Sequence, residues 1–154
     1  MLGQINAGFY DAFVTNYDLT GESLRIQEFG SADGDYVRTI ALAPGGFYVL
    51  GVTNGATQMF IRSSDSSGTE ICTQRFNDPF LIDIQGAAAD TTGVYFSGMT
   101  ALGYLSIYNV VRKFDSSGND LWTYQFDKQS IILGTAVDGR PLRRILPWAA
   151  AIPT

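Results

Sequence analysis

One spacing constrains this chain more than any other feature. Asp18-Leu-Thr-Gly21, Asp65-Ser-Ser-Gly68 and Asp115-Ser-Ser-Gly118 each place Gly three residues after Asp. An aliphatic residue follows six after the Asp (Leu24, Ile71, Leu121) and a Phe eleven after it (Phe29, Phe76, Phe126). From Asp18 to Asp65 is 47 residues, and from Asp65 to Asp115 is 50. A period of this length marks tandem supersecondary units.

The segments between these turns repeat as well. Residues 1–10 read as a Gly- and Asn-containing loop, and Asp11–Tyr17 as a strand. Asp can accept its own downstream backbone N–H and Gly can take positive φ, so Asp18–Gly21 is a turn. Leu24–Phe29 alternates Leu24 and Ile26 with Arg25 and Gln27, taken as outward-facing, as on an edge strand. Gly30–Asp35 is loop and Tyr36–Ala43 a strand. Pro44-Gly45-Gly46 turns the chain into Phe47–Thr53, whose apolar run fits a strand covered on both faces. Gln58–Ser64 and Thr69–Phe76 complete the unit. The next unit runs through Ile84–Ala89, Val94–Thr100, Ser106–Phe114 and Asp120–Phe126. Tyr95, Gly98 and Thr100 stand 47 residues after Tyr48, Gly51 and Thr53. Ile132–Val137 opens a further round, and no segment holds a helical period.

The expected fold is therefore all-β: tandem four-stranded antiparallel blades, β-propeller-like, as an incomplete, open propeller of about three blades. Its parts are a partial blade at 1–30, blades at 36–77 and 81–127, the start of a further blade at 130–139, and an atypical C-terminal tail at 140–154. Small residues suit innermost strands that crowd an axis, and Ala41, Ala43 and Ala87 to Ala89 fit there. The strand after each Asp-x-x-Gly carries Arg25, Gln27, Thr73, Arg75, Thr123 and Gln125, which suits the outer edge.

Composition narrows the function classes. Apolar residues make up 45% and charged ones 16%, too apolar and lightly charged for a disordered chain. A net charge of −5, with ten Lys and Arg spread along the chain, argues against nucleic acid as partner. One cysteine (Cys72) and no histidine exclude an intrachain disulfide, a thiolate or imidazole zinc site and a His-based triad. No apolar run approaches the ~20 residues of a membrane helix. The opening Met1-Leu-Gly-Gln-Ile-Asn is not a signal peptide.

Three segments carry a family resemblance: GQINAGFYDAFVTNYD at 3–18, AADTTGVYFSGMT at 88–100 and VRKFDSSGNDLWTYQF at 111–126. Across roughly residues 3–139 the sequence resembles the bacterial β-propeller repeats known as SBBP repeats. The resemblance implies a bacterial, exported or cell-surface protein whose repeats are a scaffold without a catalytic activity of their own. Two departures matter. The chain opens in mid-blade, giving strands C and D before the first full blade. The register fails after Gly139, where Arg143 and Leu146 replace the expected Tyr and Gly and Pro141, Pro147 and Pro153 follow. The expectation is a chain whose tail is out of frame or truncated, with a divergent cap as the alternative.

Candidate chemistry is sparse. The Asp-Ser-Ser-Gly turns lack the alternating acidic ligands of a calcium loop. Asp33, Asp35, Asp78 and Asp127 fall in the joints between blades and could form an acidic rim for a cation or a basic partner. Turn and solvation roles account for them equally. Trp122 stands where Arg25 and Cys72 stand in the other copies. Quinoproteins carry a Trp on each outer strand, but packing between blades is the simpler role. Cys72 reads as a small apolar filler. Tyr10, Tyr36, Tyr48, Tyr95, Tyr104 and Tyr108 could line a carbohydrate surface, though strand core is the commoner fate.

No catalytic residue, metal ligand or cofactor is assigned. The reading is a non-catalytic scaffold for binding or cell-surface structure, its partners being further blades, in the same chain or another copy, and a protein or carbohydrate ligand. The alternative is part of a propeller enzyme of lyase, hydrolase or quinoprotein type, with its site mainly in blades beyond this stretch. A third is a short chain that completes its ring by oligomerising. Sequencing the source DNA on both sides is expected to reveal further blade motifs, downstream in a shifted frame. Flanks without them would leave 140–154 as a genuine cap.

Overall fold

The computed structural model describes residues 2–6, 10–30, 34–53, 58–78, 80–101, 106–126, 132 and 134–137. Among these residues every regular element is a strand. β1 (Leu2–Asn6), β2 (Tyr10–Tyr17) and β3 (Ser23–Phe29) form a three-stranded sheet. β4 (Asp35–Ala43), β5 (Gly46–Thr53), β6 (Gln58–Asp65) and β7 (Glu70–Asn77) form a second sheet of four. β8 (Leu81–Asp90), β9 (Gly93–Ala101), β10 (Ile107–Phe114) and β11 (Asp120–Gln125) form a third. Each sheet is an open antiparallel meander in chain order.

The sheets meet face to face, with β4 running beside β8 and β1 and β2 meeting β4. β5 explains why its sequence is apolar throughout. Its side chains alternate between two neighbours, so both faces are buried. Phe47 and Val49 join Val14, Phe60, Phe29 and Val37 in a core between the first and second sheets. Tyr48 and Leu50 point the other way, into a core with Met59, Ile61, Val94, Phe96 and Phe114 between the second and third. Ala41, Ala43, Ala87 and Ala89 belong to this second core, where the facing first strands leave little room. Phe114 is its aromatic centre, with ring centroids 5.0 Å from Phe76 and 5.8 Å from Phe96.

The Asp-x-x-Gly motif builds the same corner three times. Gly21, Gly68 and Gly118 have φ of 87°, 81° and 83°. Their N–H groups donate to the carbonyls of Asp18, Asp65 and Asp115. The ladder shifts register just there, at Asn16/Tyr17, Ser63/Ser64 and Lys113/Phe114. This is a tight turn closed by a bulge with left-handed Gly, which twists the outer strand away.

Four expectations change. Residues 2–6 are not loop, since Leu2–Asn6 pairs with Asp11–Val14 and Tyr10. The first unit therefore has three strands, because Gly and Asn composition hid a short segment whose partner lies just beyond it. Asp35 begins β4 rather than ending a loop. On β3 the aliphatic residues do not turn inward, although Arg25 is exposed as expected. Leu24 and Ile26 are 66% and 60% exposed, while Gln27 is half-buried and both Arg25 and Gln27 reach the neighbouring sheet. The described residues at 132 and 134–137 hold no strand pairing. They lie against the third sheet instead, where Thr135 and Ser97 hydroxyls bond at 2.6 Å.

Because Phe114 is fully buried between two rings, Phe114→Ala is expected to lower unfolding free energy by about 3–5 kcal/mol. Leu121, 52% exposed despite its place in the repeat, is expected to change it by less than about 1 kcal/mol on truncation to Ala. Urea denaturation of both variants checks the contrast.

Candidate functional site

The polar chemistry of this chain gathers at the seams between sheets. Each begins with a turn carboxylate. Asp65 Oδ1 accepts from the Ser67 hydroxyl at 2.6 Å and the Thr69 N–H at 2.9 Å. Asp18 Oδ1 accepts from the Thr20 hydroxyl and N–H and from Glu22 N–H. Asp115 accepts from Asn119 through side chain and backbone and from Ser117 N–H. Bonds from Thr20, Ser67 and Asn119 side chains, with the adjoining N–H groups, hold all three carboxyls below their ordinary value. These carboxylates are thus committed to the turns. Among the described residues no cluster of three His, Cys, Asp or Glu side chains could hold a metal ion.

The outer strand of one sheet then reaches the turn of the next. Arg25 Nη1 donates to the Ser67 carbonyl and Gln27 Nε2 to that of Gly68. One sheet further on, Cys72 Sγ lies 3.6 Å and Gln74 Nε2 3.4 Å from the Ser117 carbonyl. These donors stand seven and nine residues after each turn Asp. A Cβ on Gly68 would strike Gln27, and one on Gly118 would strike Gln74. The turn glycines therefore answer to two demands: positive φ, and the neighbour's side chain pressed against them.

A third repeated contact crosses the turn itself. Arg62 Nη1 lies 2.6 Å from Glu70 Oε2, and Arg112 Nη2 pairs with Asp120. In the first sheet the same positions hold Thr15 and Ser23, whose hydroxyls bond at 3.1 Å. Both arginines face the preceding sheet. Arg62 stacks 4.6 Å above the Phe29 ring, and Arg112 bonds Asp78 at 2.7 Å. This pair at −3 and +5 from the turn Asp is legible in hindsight in two copies. Reading only aliphatic and Phe positions missed it.

Of the acidic residues singled out from sequence, Asp33 and Asp127 lie outside the described residues. Asp35 is 2% exposed and lines a cleft of about 160 Å³ between the first and second sheets, with Phe29, Arg62, Thr73 and Arg75. Asp35 Oδ2 and Thr73 Oγ1 have no hydrogen-bond partner there. Asp78 is tied to Arg112, in the next seam. The two described acids therefore sit in different seams and do not share an open mouth. The cleft is well below the roughly 300–1,000 Å³ of a small-molecule pocket.

The other candidates also find structural places. Cys72 is half-buried and faces a carbonyl, so it is a seam donor rather than an apolar filler. Trp122 packs on Tyr95 of its own sheet at 6.1 Å. Tyr48 and Tyr95 are buried, and Tyr95 donates to Asp90 while accepting from Lys113 at 2.7 Å. Tyr36 and Tyr108 are half-buried; Tyr104 and the side chain of Tyr10 lie outside the described set. No family model and no curated protein matches this chain.

The turn carboxyls set a pH dependence. Their folded-state pKa values lie below the ordinary 3.8. The stability they contribute is therefore present above that value and is lost as pH falls through the lower folded-state values. Replacing Asp18, Asp65 and Asp115 together with Asn keeps an acceptor at each turn and removes the titration. The triple variant is expected to show a flatter fall in urea midpoint below about pH 4. An acid limb identical to the parent's would uncouple these carboxyls from folding.

Proposed function

We propose that this chain is part of a non-catalytic β-propeller scaffold of the SBBP-repeat kind, serving binding or surface structure in an exported bacterial protein. One observation carries the reading: the same seam, from turn glycine to outer-strand donor, joins the first sheet to the second and the second to the third. Successive blades of a propeller are related in this way, each face covered by the next. The four-stranded meanders and the small residues where first strands meet agree with it. Of the three segments that resemble SBBP repeats, the one at 111–126 contains the Ser117–Gly118 corner of the second seam.

The carboxylates most regularly placed in the chain are absorbed by backbone N–H groups and hydroxyls, which suits a structural corner. The cleft lined by Asp35 and Arg62 is small and lies within a seam. A scaffold of this kind would present its ligand with the rims and exposed edges of its sheets, a protein or carbohydrate surface being the class of partner.

Equal units stacked through equal seams tolerate insertion of another unit, because each contacts only its neighbours. A variant with residues 35–80 duplicated in tandem is expected to stay soluble and to melt cooperatively at the parent's temperature or above. Loss of cooperative melting on duplication, with the parent well folded, would sink the repeat-scaffold reading.

A further inference from the structure

The two seams differ at one guanidinium. Arg112 stands three residues before its turn Asp, and its Nη1 takes a carboxylate from the preceding sheet, Asp78 at 2.7 Å. Arg62 stands three residues before Asp65 and faces the preceding sheet in the same way, over the Phe29 ring. Among the described residues, however, its ion pair is with Glu70 of its own sheet. Asp78 comes thirteen residues after Asp65, and thirteen after Asp18 the sequence holds Ser31, which has no carboxylate to offer. Beside Arg62 the first seam has instead the cleft of about 160 Å³.

The lining of that cleft carries both signs of charge. Alternation sets Phe60 and Arg62 on one face of β6, and register sets Arg75 and Thr73 beside them on β7. Arg75 is exposed and makes no ion pair among the described residues. Asp35, only 2% exposed, lines the same cleft, and its Oδ2 lacks a hydrogen-bond partner, as does Thr73 Oγ1. A buried carboxylate oxygen without a donor is costly, so a donor brought from outside is rewarded. Arg62 and Arg75 balance Asp35 and Glu70, so the lining is formally neutral. A ligand bearing both charges keeps that balance, whereas a bare anion or cation upsets it.

We propose that the cleft between the first and second sheets binds a small free α-amino acid, of about the size of glycine. Its carboxylate takes the place at Arg62 that Asp78 takes at Arg112, with Arg75 as the second cation. Its ammonium group pairs with Asp35 and donates to the Thr73 hydroxyl. The cleft is too small for a drug-sized molecule. At about 30 Å³ per water molecule, it holds about five water-sized groups, which is the size of free glycine. Phe29 and Phe60 form the apolar part of the lining. The site needs only the first two sheets, so it stands apart from the scaffold reading.

Isothermal titration calorimetry of the full chain with free glycine tests it, with acetate and methylammonium as half-ligands at matched ionic strength. Free glycine is expected to bind one to one, and each half-ligand at least about tenfold more weakly. Arg75→Gln, at an exposed position, is expected to weaken glycine binding by at least about tenfold while keeping the circular dichroism of the parent. Asp35→Asn keeps the shape of the side chain and removes its charge. It is expected to lose glycine and to take acetate more tightly than the parent does, a reversal that unfolding cannot produce. Should Asp35→Asn fail to fold, Arg75→Gln carries the test alone. A folded parent that binds no glycine, acetate or methylammonium bound as tightly as glycine, or folded variants that bind glycine like the parent would each overturn the assignment.

Discussion

The structure depends on covering both faces of the middle sheet. A meander whose side chains are apolar to either face cannot bury itself, so such a sheet needs a neighbour on both sides. The second sheet shows the requirement met. Phe47 and Val49 go one way and Tyr48 and Leu50 the other, and none is more than marginally exposed. Two apolar cores in one small chain follow from this arrangement. They are separate because β5 itself stands between them.

Burial alone does not set the order or offset of the sheets, and the polar seam does. Apolar faces slide over one another at modest cost, whereas a side-chain donor finds a particular carbonyl at only one offset. Gln27 at Gly68 and Gln74 beside Gly118 fix that offset at two successive joints. The turn glycine is needed twice over, for its positive φ and for the missing Cβ that admits the glutamine. Any side chain at Gly68 therefore meets backbone strain and a steric obstacle in the same substitution.

How much of this was legible beforehand follows the physics of each signal. The corners were visible because Asp and Gly are demanded locally, by hydrogen bonds within five residues and by a left-handed φ. The buried middle strands were visible because Phe47–Thr53 is apolar without interruption. The facing of the outer strands was not. Leu24 and Ile26 alternate with Arg25 and Gln27, and hydropathy alone turns the aliphatic pair inward. The structure turns them out, since the neighbouring surface at the rim is a row of turn carbonyls, which reward a donor more than a methyl group. A periodicity argument knows the spacing of a strand but not the chemistry across from it. β1 was missed for a related reason: Leu2–Asn6 has no strong pattern of its own and becomes a strand by pairing with β2.

The same logic bears on why the seam positions vary while the corners do not. At the first donor position the three copies hold Arg25, Cys72 and Trp122, three residues that hydropathy scales would never group. Their common property is a hydrogen on a heteroatom at the same position of the repeat. At the pair that spans the turn, Arg62 with Glu70 and Arg112 with Asp120 give way to Thr15 with Ser23, and an ion pair becomes a hydroxyl pair. Arg62 and Arg112 are 15% and 16% exposed and their acidic partners 43% and 36%, so the exchange trades a partly buried ion pair for a neutral hydroxyl pair. What selection of this kind must preserve is the complementarity of donor and acceptor across each joint, not the residue that provides it. Candidate site residues in such a chain are therefore found by comparing positions between units rather than by residue type. That comparison is what connects Trp122 to Arg25.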